Sequence, residues 1–313
     1  MVNQHPSPLL PPGLTVFERG WLSSNNILLV DSQRAALVDT GYCTHAEQTL
    51  ALVAHALAGR VLDDVLNTHL HSDHCGGNAA LQARYPALVT AIPPGTAQAV
   101  ADWDEDRLGH RALGQSMVRY GFDRLLQPGS TERMADRDWQ VHAAPGHDND
   151  AVLLFEPASR TLISADALWQ QGFGVVFPEL GGTSGYAEVA ATLDLIEQLA
   201  PAVVIPGHGS VFTGVADSLA VARQRLDSFV ARPERHTRHA AKVLLKYKLL
   251  EMGTTSRSNL MAWAHATPML ATLHGMLFPA DSGSDFGPWL DDVLADLVRS
   301  GAVGLDGETV FNR

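Results

Sequence analysis

The stretch Asn67–Asn78, NTHLHSDHCGGN, places three histidines and an aspartate in the six positions from His69 to His74. It follows the apolar run of DDVL and precedes Gly76 and Gly77. Crowding four such groups is costly unless a cation holds them together. Imidazole and carboxylate are the usual side-chain ligands of zinc, manganese and iron. His69 and His71 alternate by two, so an extended segment leaving a strand aims both the same way. Asp73 and His74 follow at the turn, where the glycines allow tight backbone geometry. Four ligands from one loop are too many for one metal that must admit a substrate, and the simplest account is two metals.

Two metals need more ligands, and the chain offers them where apolar strands end. His147 follows 138–145 in APGHD, Asp166 closes 160–165 in ISAD, and His208 closes 202–206 in IPGHG. Strand ends along one sheet edge are where a shared site assembles. A lone histidine in such a loop is more often a surface or hydrogen-bonded residue, and a lone Asp166 more often a helix cap. The joint pattern raises each of them. His142 and the remaining histidines carry no such support.

Outward from the cluster, LTVFERGW (14–21), NILLVD (26–31) and AALVDTG (35–41) read as strands, with DSQR as a hairpin turn. Residues 45–58, 78–85 and 185–199 read as helices. Strands are expected at 63–69, 87–93, 138–147, 150–157, 160–166 and 202–209. Residues 95–125 read as a helical segment suited to a lid. Trp169, Phe173 and Phe177 are candidates to line an apolar pocket. Beyond a linker near Gly214 the pattern turns helical, roughly 216–231, 234–251, 256–265 and 287–300, and closes in a hairpin at Asp306-Gly307. This divides the chain into domains 1–214 and 215–313.

The chain has 313 residues, 46% of them hydrophobic, enough for one large core or two smaller ones. The N-terminal residues lack a basic region followed by an apolar run, and no apolar run is long enough to span a bilayer. A cytoplasmic protein with no membrane association is therefore expected. Cys43 and Cys75 form no CxxC pattern and no disulfide framework. Of 22 basic and 34 acidic residues, 215–313 holds eleven of each, so 1–214 holds eleven against twenty-three. Such a charge repels polyanions and makes nucleic acid a poor partner.

The motifs carry a resemblance. THLHSDHCGG resembles the HxHxDH motif of the metallo-β-lactamase superfamily, and PGHD, ISAD and PGHG resemble its later metal-binding motifs in the right order. Asp39 in LVDTG resembles the superfamily's early aspartate, which supports the metal loop. The resemblance covers about 14–214. It implies an α/β (α+β) fold, a four-layer αβ/βα sandwich of two mixed sheets with the site along one edge. It further implies that His69, His71 and His147 bind one metal, that Asp73, His74 and His208 bind the second, and that Asp166 bridges them. Zinc is expected first, with manganese or iron as alternatives. This ligand set is similar to the glyoxalase II and lactonase branches. It differs from the true zinc β-lactamases, where a cysteine usually stands at the second metal, and from the persulfide dioxygenases, which use one iron.

The last hundred residues resemble the winged-helix-like C-terminal domain of some members, through KVLLKYKLLEMGTTSRSNLMAWA and the final hairpin. Packing or homodimer contact is the expected role of that domain. The implied activity is hydrolysis of a small ester, thioester or lactone by a metal-bridged hydroxide, with Asp73 and Asp166 as catalytic carboxylates. The alternatives are a phosphodiesterase or ribonuclease using the same metals, and a scaffold without turnover.

Overall fold

The computed structural model describes residues 10–278 and 283–313. These fall into two compact units. The first comprises the residues up to Trp103 together with Val118–Leu226, and the second Asp104–Met117 with Asp227 onward.

The first unit is built on two sheets. Strands β1 (Leu14–Phe17), β2 (Asn26–Val30) and β3 (Ala35–Val38) lead through helix α1 (Ala46–Leu57) to β4 (Asp64–Leu66). Helices α2 (Ser72–Cys75) and α3 (Asn78–Arg84) precede β5 (Val89–Ile92), and α4 (Ala97–Asp102) precedes β6 (Arg124–Leu125). These six strands pair in chain order, antiparallel up to β3 and parallel from β3 to β6. The second sheet takes β7 (Thr131–Met134), β8 (Arg137–Ala143), β9 (Val152–Glu156), β10 (Thr161–Ala165) and β11 (Val203–Pro206). Helices α5 (Phe177–Leu180) and α6 (Tyr186–Leu199) lie between β10 and β11 in the chain. The strand order is β11-β10-β9-β8-β7, with only β10 and β11 parallel.

Alternation along the strands dictates the layers. Ile27, Leu29, Ala36, Val38 and Leu66 of the first sheet pack with Trp139, Val141, Val152, Leu154, Ile163 and Ile205 of the second. Their neighbours Leu28, Ala35, Leu37 and Val65 face the other way and pack with Val53 and Leu57 of α1 and Leu81 of α3. On the second sheet Leu153, Leu162 and Val204 are also fully buried, and α6 turns Val189, Leu193 and Ile196 inward. The result is a four-layer αβ/βα sandwich within an α/β (α+β) class.

In the second unit, α8 (Pro233–Met252) follows α7 (Val215–Ala231), whose last turns belong to this unit. Strand β12 (Thr254–Ser256), helices α9 (Arg257–Ala266), α10 (Pro268–Leu277) and α11 (Phe286–Arg299), and strands β13 (Val303–Asp306) and β14 (Thr309–Asn312) complete it. The final hairpin recruits β12 into a three-stranded sheet, β12-β14-β13. Among the described residues no helix is long and apolar enough to cross a membrane.

Several expectations need correction. Residues 95–125 are not a long helical segment, because only Ala97–Asp102 is helical. Trp103 ends that helix at φ 56°, and Gly109 and Gly114 turn the chain at φ 77° and 63°. The first strand stops at Phe17 instead of running to Trp21. Phe173, only 1% exposed, is a core residue lying over Arg225 and does not line an open pocket.

Candidate metal centre

The strand directions bring the motif loops together. β3 and β4 run parallel, and β8, β10 and β11 share one direction because β9 is antiparallel to both β8 and β10. Asp39 follows β3, the His69–His74 loop follows β4, His147 follows β8, Asp166 follows β10 and His208 follows β11. All are carboxyl ends of strands, the usual location of sites in such sheets.

The seven side chains form two groups. His69, His71 and His147 offer nitrogens, and Asp73, His74, Asp166 and His208 offer a mixed set, each group within 4.8 Å. In the first, His71 Nδ1 lies 3.0 Å from His69 Nε2 and 2.8 Å from His147 Nε2. In the second, His208 Nε2 lies 3.0 Å from Asp73 Oδ2 and 3.8 Å from Asp166 Oδ1, and His74 Nε2 lies 3.4 Å from Asp166 Oδ1. Asp166 Oδ2 points the other way, 3.4 Å from His147 Nε2. One carboxylate therefore faces both groups.

Most imidazoles are oriented through their second nitrogen. His147 Nδ1 donates to the Val175 carbonyl at 2.6 Å, and His74 Nδ1 donates to Asp39 Oδ2 at 2.7 Å. Thr68 Oγ1 lies 3.2 Å from His69 Nδ1, and Asp148 Oδ2 lies 3.7 Å from His71 Nε2. Such contacts fix the tautomer and aim the remaining nitrogen. Asp39, 1% exposed, also accepts from Thr68 N at 2.9 Å and Thr68 Oγ1 at 2.8 Å. Its φ of 57° is one that an aspartate tolerates better than most residues.

Backbone close approach sets the remaining geometry. A Cβ on Gly207 would stand 2.2 Å from Asp166 Oδ1, and one on Gly174 would stand 2.4 Å from His147 Nδ1. Ala165, at φ 46°, kinks the strand end at a register shift and turns Asp166 toward the cluster.

Electrostatics prepares these groups as ligands. Burial, then the neighbouring His74, His71 and His147, hold His69 far below the ordinary imidazole range. Burial and the His71 ring push His147 down to about 4. Burial opposes ionisation of Asp166, but His208 and His74 outweigh it and hold the carboxyl well below its usual range. Asp73 is likewise lowered against burial, by His74 and His208. His74 moves upward: burial opposes its charge, but Asp39, Asp166 and Asp73 prevail. Neutral imidazoles and ionised carboxylates are the forms that bind metal. The Nε2 of His74 is buried without a hydrogen-bond partner, an arrangement that a cation on this face would relieve. The donor set thus fits two divalent cations.

Cys75, next to the cluster in sequence, turns away from it. Its thiol is fully buried and donates to Leu70 O and His71 O at 3.4 Å and 3.3 Å. Burial also pushes its pKa up, so the thiol stays protonated. Trp21, Asp148, Gly174 and Gly207 were not legible as site residues. Only Trp21 carried a signal, a tryptophan in the polar turn GWLSSNN.

Comparison with known proteins follows the same residues. The pattern of the metallo-beta-lactamase superfamily matches residues 19–208. A hydroxyacylglutathione hydrolase from Synechococcus sp. (strain JA-3-3Ab) is 34% identical over 181 residues, covering 57% of this chain and 60% of its own length. The chain therefore spans less than two thirds of that relative. The acyl-coenzyme A thioesterase MBLAC2 of Gallus gallus is 27% identical over 223 residues, covering 64% of this chain and 80% of its own. The metallo-beta-lactamase family protein TTHA1429 from Thermus thermophilus superposes with a TM-score of 0.55 at 20% identity, over 97% of this chain and all of its own. A match that spans more than half the chain and contains all seven clustered side chains makes this chain a member of the metallo-beta-lactamase superfamily.

Proposed function

We propose that the chain is a dinuclear metal-dependent hydrolase of a small ester or thioester, with His69, His71 and His147 at one cation and Asp73, His74 and His208 at the other. The observation that carries the reading is Asp166, whose two oxygens face different groups. A carboxylate so placed fits a bridge, with Gly207 leaving it room. When bound, two divalent cations, zinc first among them, supply Lewis acidity and a lowered pKa for water.

The chain's own residues do the rest. Asp39, Thr68, Asp148 and Val175 O hold four imidazoles in fixed orientation. Asp73 is the more open of the two site carboxylates, its side chain 13% exposed against 7% for Asp166. It is placed to hand a proton to the leaving sulfur or oxygen as the acyl bond breaks and the water oxygen joins the carbonyl carbon. Trp169 and Phe177 border the site, Phe177 5.0 Å from His71 and Trp169 5.5 Å from His208. These aromatic rings suit an acyl substrate over a highly charged one. The likeness to a hydroxyacylglutathione hydrolase and an acyl-coenzyme A thioesterase ranks thioesters ahead of lactones. A cytoplasmic location and a homodimer belong to the same reading.

The test is parallel assay of metal-loaded protein on acyl thioesters, lactones and single-stranded RNA, with metal content measured on the same sample. Thioester turnover that disappears on chelation and returns with zinc is the expected result. RNA cleavage without thioester turnover would replace this reading with the phosphodiesterase one.

A further inference from the structure

Four of the five clustered histidines have an oxygen partner near the nitrogen turned away from the other ligands, and His208 does not. Its Nδ1 is buried and makes no hydrogen bond. Two indoles hold the ring instead. Trp21 lies parallel to it, with 9° between planes and 5.2 Å between centroids. Trp169 meets it nearly at right angles, 83° at 5.5 Å, and packs edge-on against Trp21 at 5.2 Å.

The loop that carries Trp21 is anchored to the His208 loop by backbone contacts. Asn25 N donates to Gly207 O at 2.7 Å, and Asn25 Nδ2 donates to Pro206 O at 3.0 Å and Gly209 O at 2.7 Å. Ser24 N donates to Asp73 O at 2.9 Å, so the same loop also holds the other end of this ligand group. Leu22 is 4% exposed and Ser23, Ser24 and Asn25 are fully buried. Trp21 is 55% exposed on that rigid support. A large apolar side chain left so open needs a reason beyond core packing.

We propose that Trp21 is a positioning residue for the second ion: stacking on Trp21 takes the place of the hydrogen bond His208 lacks and sets the aim of His208 Nε2. The inference rests on the dinuclear reading above. Trp169 acts beside it by a separate route, because its Nε1 donates to Asp166 Oδ1 at 3.2 Å. Rotation of the His208 ring, restrained elsewhere by a bonded nitrogen, is restrained here by two aromatic contacts.

The test is a stepwise zinc titration of full-length protein against a competing chelator, with tryptophan fluorescence followed throughout. Trp21→Ala should weaken the second zinc about five- to tenfold, the range of one aromatic pair, and leave the first within about twofold. Trp21→Phe should restore most of the loss. In wild type the second zinc should perturb the fluorescence, and Trp21→Phe should remove most of that change. Because Trp21 is exposed, Trp21→Ala should fold normally, with circular dichroism as the check. Equal loss at both ions, or a second zinc unaffected by Trp21→Ala, would overturn the inference while leaving the dinuclear reading intact. A wild-type protein that takes up one zinc only would overturn both.

Discussion

Replacing Asp39 by Asn tests whether the cluster is held by charge or merely by shape. Asp39 Oδ1 accepts from Thr68 N, and Oδ2 accepts from Thr68 Oγ1 and His74 Nδ1, at 2.7–2.9 Å. An asparagine keeps one acceptor oxygen and turns an NH2 toward the other partners. The Thr68 hydroxyl can rotate to accept from that NH2. His74 cannot keep its Nδ1 proton there, and losing it would move the proton to Nε2, the atom aimed at Asp166. Asparagine tolerates the φ of 57° at this position, so the backbone stays. The lost interaction is one charge-assisted hydrogen bond in a buried setting, about 1.5–3 kcal/mol. At 1.4 kcal/mol per decade that is roughly ten- to a hundredfold in affinity for the ion His74 serves, the range found for partners of metal ligands. The first ion, on His69, His71 and His147, should change by less than about threefold by the same measure. Competition with a chromophoric chelator at neutral pH gives both constants. A second-ion affinity within twofold of wild type, at full stoichiometry, would show that Asp39 is only a packing residue.

Three other outcomes follow from the geometry. Asp166→Ala should abolish turnover and tight binding of the second ion, as measured by elemental analysis and thioester assay; two retained ions would make it a turn residue. Gly207→Ala should lower metal content, because its Cβ would fall 2.2 Å from Asp166 Oδ1, while thermal unfolding of the metal-free protein checks that the scaffold survives. Glu156, with its carboxylate buried beside Ser159 and Arg137, is lowered by bonds from Ser159 and Ala158 that outweigh burial. A carboxyl lowered by folding contributes stability above its unfolded pKa of about 4.3. That stability is lost as pH falls through the lower folded pKa, so Glu156→Gln should flatten the acid limb of the unfolding curve. Unfolding curves of equal steepness in acid would refute it.

What the sequence revealed was the chemistry and the strands that carry it. Four ligands in one loop are dense enough to be read without neighbours, and each distant partner sits where an apolar run stops. The β2–β3 turn was equally legible, since Asp31 Oδ1 accepts from Gln33 N and Arg34 N as a short polar turn should. Other parts left weaker traces. β7 is TERM, largely exposed, and has no alternation to mark it. β12 is three residues that become a strand only by pairing with β14, far along the chain. α10 carries a start signal in Pro268 at its first turn, but too little periodicity to stand out. Trp21 could not be assigned a role because nothing local says that a loop near residue 21 meets one near residue 208. Its partner is supplied by tertiary structure alone.

The second unit carries the one feature that could favour the nuclease alternative, the lysines of α8, and their contacts argue against that use. Nucleic-acid affinity rests on basic side chains free to neutralise phosphates. Lys246 donates to the Ala302 carbonyl and to Asn312, so its charge serves to dock the terminal hairpin. Lys248 pairs with Glu251 at 3.0 Å and lies over the Trp263 ring. Lys242 is 4.0 Å from Asp296, which also receives Arg238 at 2.7 Å. Arg257 pairs with Asp291 at 2.7 Å, and Arg299 with Asp296. Each of these cations already has a partner, and a phosphate would have to displace a carboxylate from several of them. Between the lysines, Leu244, Leu245 and Leu249 are buried, so this helix is core on one face. Binding to single-stranded RNA or duplex DNA at physiological salt should therefore be weaker than micromolar and insensitive to neutralising the three lysines. Submicromolar binding with a steep salt dependence, lost in the triple variant, would mean that these ion pairs open on contact and would restore the nuclease reading.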